Sequence, residues 1–72
     1  AVEGMVWGTD VYTGDSVLAA VAVHAGAVKA GETAIINVTV MQPLQQYQGS
    51  IRHGVTSHEF GRFGTAYKVE AV

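Results

Sequence analysis

One stretch of this chain has no polar face. Val17, Leu18, Ala19, Ala20, Val21, Ala22 and Val23 follow one another without a polar side chain, and His24, Ala25 and Gly26 close the run. Asp15 or Ser16 stands where an N-cap belongs, because a short side-chain oxygen there accepts from a free backbone N–H of the first turn. Gly26 stands where a left-handed C′ residue belongs. The run therefore predicts a helix from Val17 to Ala25, about ten residues and roughly 15 Å long. A helix that is apolar on every side is covered on every side. This one is far shorter than the roughly 18 residues needed to span a bilayer. Its cover must be protein, and the rest of this 72-residue chain reads as strand and turn. The alanines let strands approach closely. Burial alone thus predicts an α+β fold over 1–72, a single domain with one short buried central helix wrapped by β-structure.

The strands are less evenly marked. Val2 to Gly8 reads as a strand, Gly8-Thr9-Asp10 as its turn-rich exit and Tyr12-Thr13-Gly14-Asp15 as a loop. Thr33 to Met41 carries Ile36, Val38 and Val40 on one face and Asn37 and Thr39 on the other, a period of two. Pro43 stops it. Thr65 to Val72 alternates in the same way, with Tyr67, Val69 and Ala71 opposed to Lys68 and Glu70. A structureless loop from Gln42 to Gly64 is too long for so small a domain. Ile51, Val55, Phe60 and Phe63 are expected to anchor it through short strands or tight turns.

Composition narrows the function. Hydrophobic residues make up 49% of the chain and charged residues 14%, with a net charge of −2. This is a globular composition, and its low charge suggests that part of the surface is covered by a partner, another domain or a second copy. There is no basic stripe, so nucleic acid is not an expected partner. The chain contains no cysteine, which excludes disulfides and thiolate chemistry. An opening of Ala-Val-Glu is compatible with a mature exported product.

Several short motifs now line up: Trp7-Gly8-Thr9, Tyr12, Asp15-Ser16, His24-Ala25-Gly26, Tyr47-Gln48-Gly49-Ser50, Gly54-Val55-Thr56-Ser57 and the strand around Tyr67. In order and spacing, over about 60 residues, this series resembles the LCCL domain family. The chain departs from that pattern in two places. Ala19 occupies the position of a cysteine inside the helix of animal members, which gives the chain the look of a bacterial-type member. His53 replaces an asparagine before Gly54-Val55. The resemblance implies a central helix enclosed by antiparallel sheets. It also implies an extracellular or periplasmic module, usually one part of a larger protein and associated with lipid or lipopolysaccharide binding. It supplies no catalytic residue set. Trp7, Ser16, His24, Gly26, Gly54 and Ser57 are expected to be structural.

Arg52, His53, His58 and Arg62 form the only local cluster of potential positive charge. Together with Tyr47 they are the expected ligand-binding residues, since arginine grips phosphate, carboxylate or sulfate groups bidentately and glycine-rich backbone can present N–H groups to an anion. The competing reading is a solvated polar loop. His53, His58 and Glu59 match no zinc-ligand spacing, and no metal or cofactor is expected. His24, at the end of an apolar helix, is expected to be a buried histidine bonded to a neighbouring loop's backbone. Ser16 and His24 would lie roughly 12 Å apart along the helix axis, too far to act as a nucleophile and base, and the chain is expected to be non-enzymatic. Of the aromatic side chains, Tyr47 or Phe60 is expected to be exposed. Asn37-Val38-Thr39 is a glycosylation sequon set within a strand.

Two functional readings follow, both for a secreted, periplasmic or cell-surface protein that does not span a membrane. In the first, the chain binds an anionic lipid head group or glycan through the loop from Tyr47 to Arg62. In the second, it is a small structural or interaction subunit that docks on a larger assembly. A concave cluster around Arg52 and Arg62 would favour the first, and a contiguous exposed apolar surface the second.

Overall fold

A computed structural model describes residues 5–72. Its order of elements is β1 (Gly8–Thr9), β2 (Val11–Thr13), α1 (Leu18–His24), β3 (Ile36–Met41), β4 (Ser50–Arg52), β5 (Val55–Ser57) and β6 (Ala66–Ala71). Strands β1, β2, β6 and β3, in that order, form a four-stranded antiparallel sheet, and β4 and β5 form a separate hairpin. The helix contacts β6 of the sheet and both strands of the hairpin. Antiparallel strands thus enclose a short helix, as the apolar run requires. The two β-structures are also joined directly. Trp7 bridges His58 in parallel, with the His58 N–H donating to Val6 O and the Gly8 N–H to His58 O.

The helix ends as the sequence anticipates. Gly26 has φ +80°. Its N–H donates to Val23 O, and the Ala27 N–H donates to Ala22 O, which is the paired bonding of a Schellman motif. The start differs from expectation. Val17 is the N-cap and makes no side-chain cap bond. Ser16 faces the other way: its Oγ accepts from the Trp7 N–H at 3.0 Å and lies 2.9 Å from Thr13 Oγ1. Ser16 therefore joins the first strand region to β2 instead of capping α1.

Coverage of the helix is likewise uneven. Ala20, Val21, Ala22, Val23 and His24 are all buried, and five consecutive residues pass all the way around a helix. Val17, Leu18 and Ala19 are exposed. The first turn projects past the strands that enclose the rest.

The N-terminal strand region is shorter than the sequence suggests. Within the described part of Val2 to Gly8, the Met5 and Val6 carbonyls accept from Val17 and His58 and not from a neighbouring ladder strand. Residues 2–4 of that strand lie outside the described residues. Tyr12 and Thr13, read as loop, are in β2 and pair with Tyr67 and Ala66. A single residue, Asp10 with φ +69°, reverses the chain between Thr9 and Val11. Aspartate is one of the few non-glycine residues that tolerate this conformation.

The core gathers Val6, Tyr12, Ala20, Val21, Tyr67 and Val69, with Ile36 and Val55 packed against it. Strand β3 begins at Ile36, not at Thr33, and lies at the edge of its sheet. Val38 stands opposite Val69 and Val40 opposite Tyr67. Directly opposed residues share a face, so both valines lie on the face that carries the core. The helix does not reach them: Val38 is 49% exposed and Val40 83%. Ile51, expected as an anchor, is also exposed on β4.

Candidate functional site

The motif residues converge on a polar spine that binds helix to strands. His24 is fully buried, with Nδ1 2.7 Å from the Tyr12 hydroxyl and Nε2 3.3 Å from Ser50 O and 3.2 Å from Ser50 Oγ. A carbonyl only accepts, so Nε2 carries the proton and Tyr12 O–H donates to Nδ1. Thr9 Oγ1 donates to Gln48 O at 2.9 Å, so the 2.6 Å contact between Ser50 and Thr9 has the Ser50 hydroxyl as donor. The chain of donors thus runs in one direction from Tyr12 through His24, Ser50 and Thr9 to Gln48. Burial pushes the His24 pKa below its ordinary value and the Tyr12 pKa above its own. The neutral imidazole that this network needs is the form that burial favours. His24 bonds the backbone of Ser50, the first residue of β4, where the sequence predicts a loop's backbone. It does so uncharged, not as the cation that a helix C-terminus would favour.

A second set of bonds sits beside the first. Tyr67 O–H donates to Ser16 O at 2.8 Å, and burial pushes the Tyr67 pKa up to about 12. Ser57 O–H donates to Gly8 O. The Leu44 N–H donates to the Tyr47 hydroxyl at 3.1 Å.

The expected ligand residues are not brought together. Tyr47 is fully buried, because its ring closes the core beside β1 while its backbone pairs with Phe60. This corrects its reading as an exposed binding residue, and Phe60 is the aromatic that reaches solvent. Arg52 forms an exposed ion pair with Asp10 at 2.7 Å, so part of its charge is already matched. His53 and Gly54 make the β4–β5 turn with φ of +53° and +77°, the two positive values of a type I′ hairpin. The His53 Nδ1–H donates to His24 O at 3.1 Å. It thereby occupies one of the free carbonyls at the end of α1.

His58 follows the far end of β5, roughly 10 Å from the turn. Arg62 lies beyond it, in an open depression of about 570 Å³ with Pro43, Leu44, Gln45, Phe63 and Gly64. Among the described residues, no three His, Asp or Glu side chains gather as a metal site would require.

A larger concavity lies elsewhere. A groove of about 700 Å³ runs between α1 and the segment from Val28 to Ile36, with Leu18, Ala19, Ala22, Val23 and Val28 among its apolar walls and Lys29 and Glu32 at its rim. Ile36 closes it and continues along β3 to Val38 and Val40 on the same face. Groove and strand form one continuous apolar surface. The apolar run hides this groove from a reading of the sequence, because it predicts Leu18 to be covered like the rest of the helix. The available signal was the strand itself, which carries neither the charge nor the proline that usually protects an exposed edge.

Comparison with known proteins adds the family. The model of the LCCL domain matches residues 1–66. The chain is 35% identical over 69 residues to the human Cysteine-rich secretory protein LCCL domain-containing 2, covering 93% of the chain and 14% of that protein. It is 29% identical over 73 residues to Transcriptional regulatory protein rxt3 of Schizosaccharomyces pombe, covering 93% of the chain and 21% of that protein. The chain thus spans less than a quarter of either relative. Among the described residues, no helix is long and apolar enough to cross a membrane.

Proposed function

Because the chain belongs to the LCCL domain family, a family of small binding or interaction modules, we propose that it is a non-enzymatic interaction module that docks on protein through the apolar surface running from the α1 groove onto β3. The observation that carries this reading is the continuity of Leu18, Ile36, Val38 and Val40 across a groove and an uncovered sheet face. Contiguous apolar surface of this kind marks interaction sites on small soluble domains. Both nitrogens of His24 are committed to the spine, which supports a structural and not a catalytic histidine. An exported location belongs to the same reading and is supported by the secretory protein named among the relatives.

The test is site-specific photo-crosslinking in the source cell. A photoreactive residue at Val40 should capture a protein, whereas one at Arg62 should not. Capture at Arg62 with Val40 silent would refute the docking reading. A second reading, an anionic lipid head group or glycan, is favoured by the open depression that Arg62 shares with Gln45 and Phe63. It expects the chain to co-sediment with phosphatidylglycerol vesicles and Arg62→Ala to abolish this. Equal recovery with neutral phosphatidylcholine vesicles would count against it.

A further inference from the structure

Among the described residues, strand β3 has one free edge, and its peptide groups can be assigned. The Val72 N–H donates to Ile35 O, and the register places Ile36 opposite Ala71. Residues 35 and 72 are therefore a hydrogen-bonded pair of the antiparallel ladder. Such pairs alternate with non-bonded ones along a strand. It follows that Asn37, Thr39 and Met41 spend their N–H and C=O groups on β6, whereas those of Ile36, Val38 and Val40 point away from it, toward the open edge.

We infer that the occupant of this edge is a second copy of the chain, joined through antiparallel pairing of β3 with β3 about a two-fold axis at Val38. The reading rests on the docking surface proposed above and specifies what fills it. Three features of the strand favour a copy of itself.

First, the outward peptide groups sit at positions symmetric about Val38. Val38 meets the partner's Val38, and Ile36 meets the partner's Val40, so each can exchange both backbone bonds with its opposite. Second, the side chains repeat under the same operation. The apolar face sets Ile36, Val38 and Val40 against their own kind, and the other face sets Asn37 against the partner's Thr39. Third, β3 carries no charge, so no like charges oppose each other across the axis. An uncharged edge strand of six residues with one apolar face is a template for pairing. A self-complementary two-fold contact closes after one partner.

Sedimentation equilibrium on the 72-residue chain, over a range of concentrations, reads the outcome. The wild type should approach twice the chain mass. Val38→Lys puts two ammonium groups face to face and should weaken association by on the order of tenfold or more. Val38→Glu should do the same. Mixing the two variants should restore a one-to-one dimer, because only the axis at Val38 brings residue 38 of each copy together. Circular dichroism should show both variants folded, as the half-exposed position of Val38 permits. A wild type that stays monomeric at all concentrations overturns the inference, and so does a mixture that fails to re-associate. Neither result touches the docking reading itself, which stands or falls on whether Val40, and not Arg62, is the position that captures protein, a second copy included.

Discussion

At the scale of single residues, His24 sets a pH limit on the fold. Its pKa is lowered in the folded state from 6.5 because burial disfavours the charged ring. As pH falls through about 6.5, the unfolded chain takes up a proton that the folded chain refuses, so stability declines. Urea midpoints should therefore drop between pH 7.5 and pH 5, before the carboxylates titrate, and a flat profile there would contradict the assignment. Tyr67 acts at the other extreme. With its pKa pushed up to about 12, stability should fall between pH 10 and 12, where the unfolded phenol ionises first. Tyr12→Phe tests the spine between them. It removes the donor to His24 Nδ1 and leaves a buried ring nitrogen unpaired, at a cost of about 2 kcal/mol in unfolding free energy.

At the scale of elements, the two ends of α1 should respond differently to the same change. Ala22 is buried, and Ala22→Glu forces a carboxylate against the apolar wall of the α1 groove. A loss on the order of 3 kcal/mol or more is expected, enough to unfold so small a domain. Leu18 is half exposed on the first turn, and Leu18→Glu should cost about 1 kcal/mol or less. Thermal melts of the pair read the difference, and equal losses would mean that the first turn is covered after all. The hairpin turn offers a finer test. His53→Asn should be close to neutral, since asparagine also accepts the left-handed conformation and its amide can donate to His24 O. Gly54→Ala should cost about 1 kcal/mol at its φ of +77°.

These elements also show what could be read from the chain beforehand. The apolar run with Gly26 behind it predicts α1 and its C-terminal motif, because both depend on residues within one turn of each other. The alternations around Val38 and Val69 predict β3 and β6 for the same reason. Strand β2 was hidden because the reversal before it uses one aspartate in place of a recognisable turn pair. Ser16 was misread because its partners, Trp7 and Thr13, are brought to it by tertiary structure. The dispersal of Arg52, His58 and Arg62 has a similar cause. Closeness in sequence is not closeness in space once a hairpin runs between the residues. The edge position of β3 depends on strand order, which no local pattern encodes.

At the scale of the whole molecule, the sheet is held together by its latest strand. Strand β6 lies between β2 and β3 and pairs with both, and its Tyr67 and Val69 belong to the core. A chain ending at Thr65 should therefore lack a folded state, and its amide NMR spectrum should show the narrow dispersion of a random coil. A dispersed spectrum would show that the helix and hairpin suffice without the sheet.

The central position of β6 also has a consequence during biosynthesis. A ribosome adds about 5–20 residues per second. The interval from Met41 to Ala66 therefore lasts about 1–5 s, during which β3 has left the peptidyl-transferase centre and the strand that will pair with it has not been made. The nascent polypeptide spends that time with both edges of an uncharged β-strand open. Expression yield should accordingly depend on translation speed across codons 42–65.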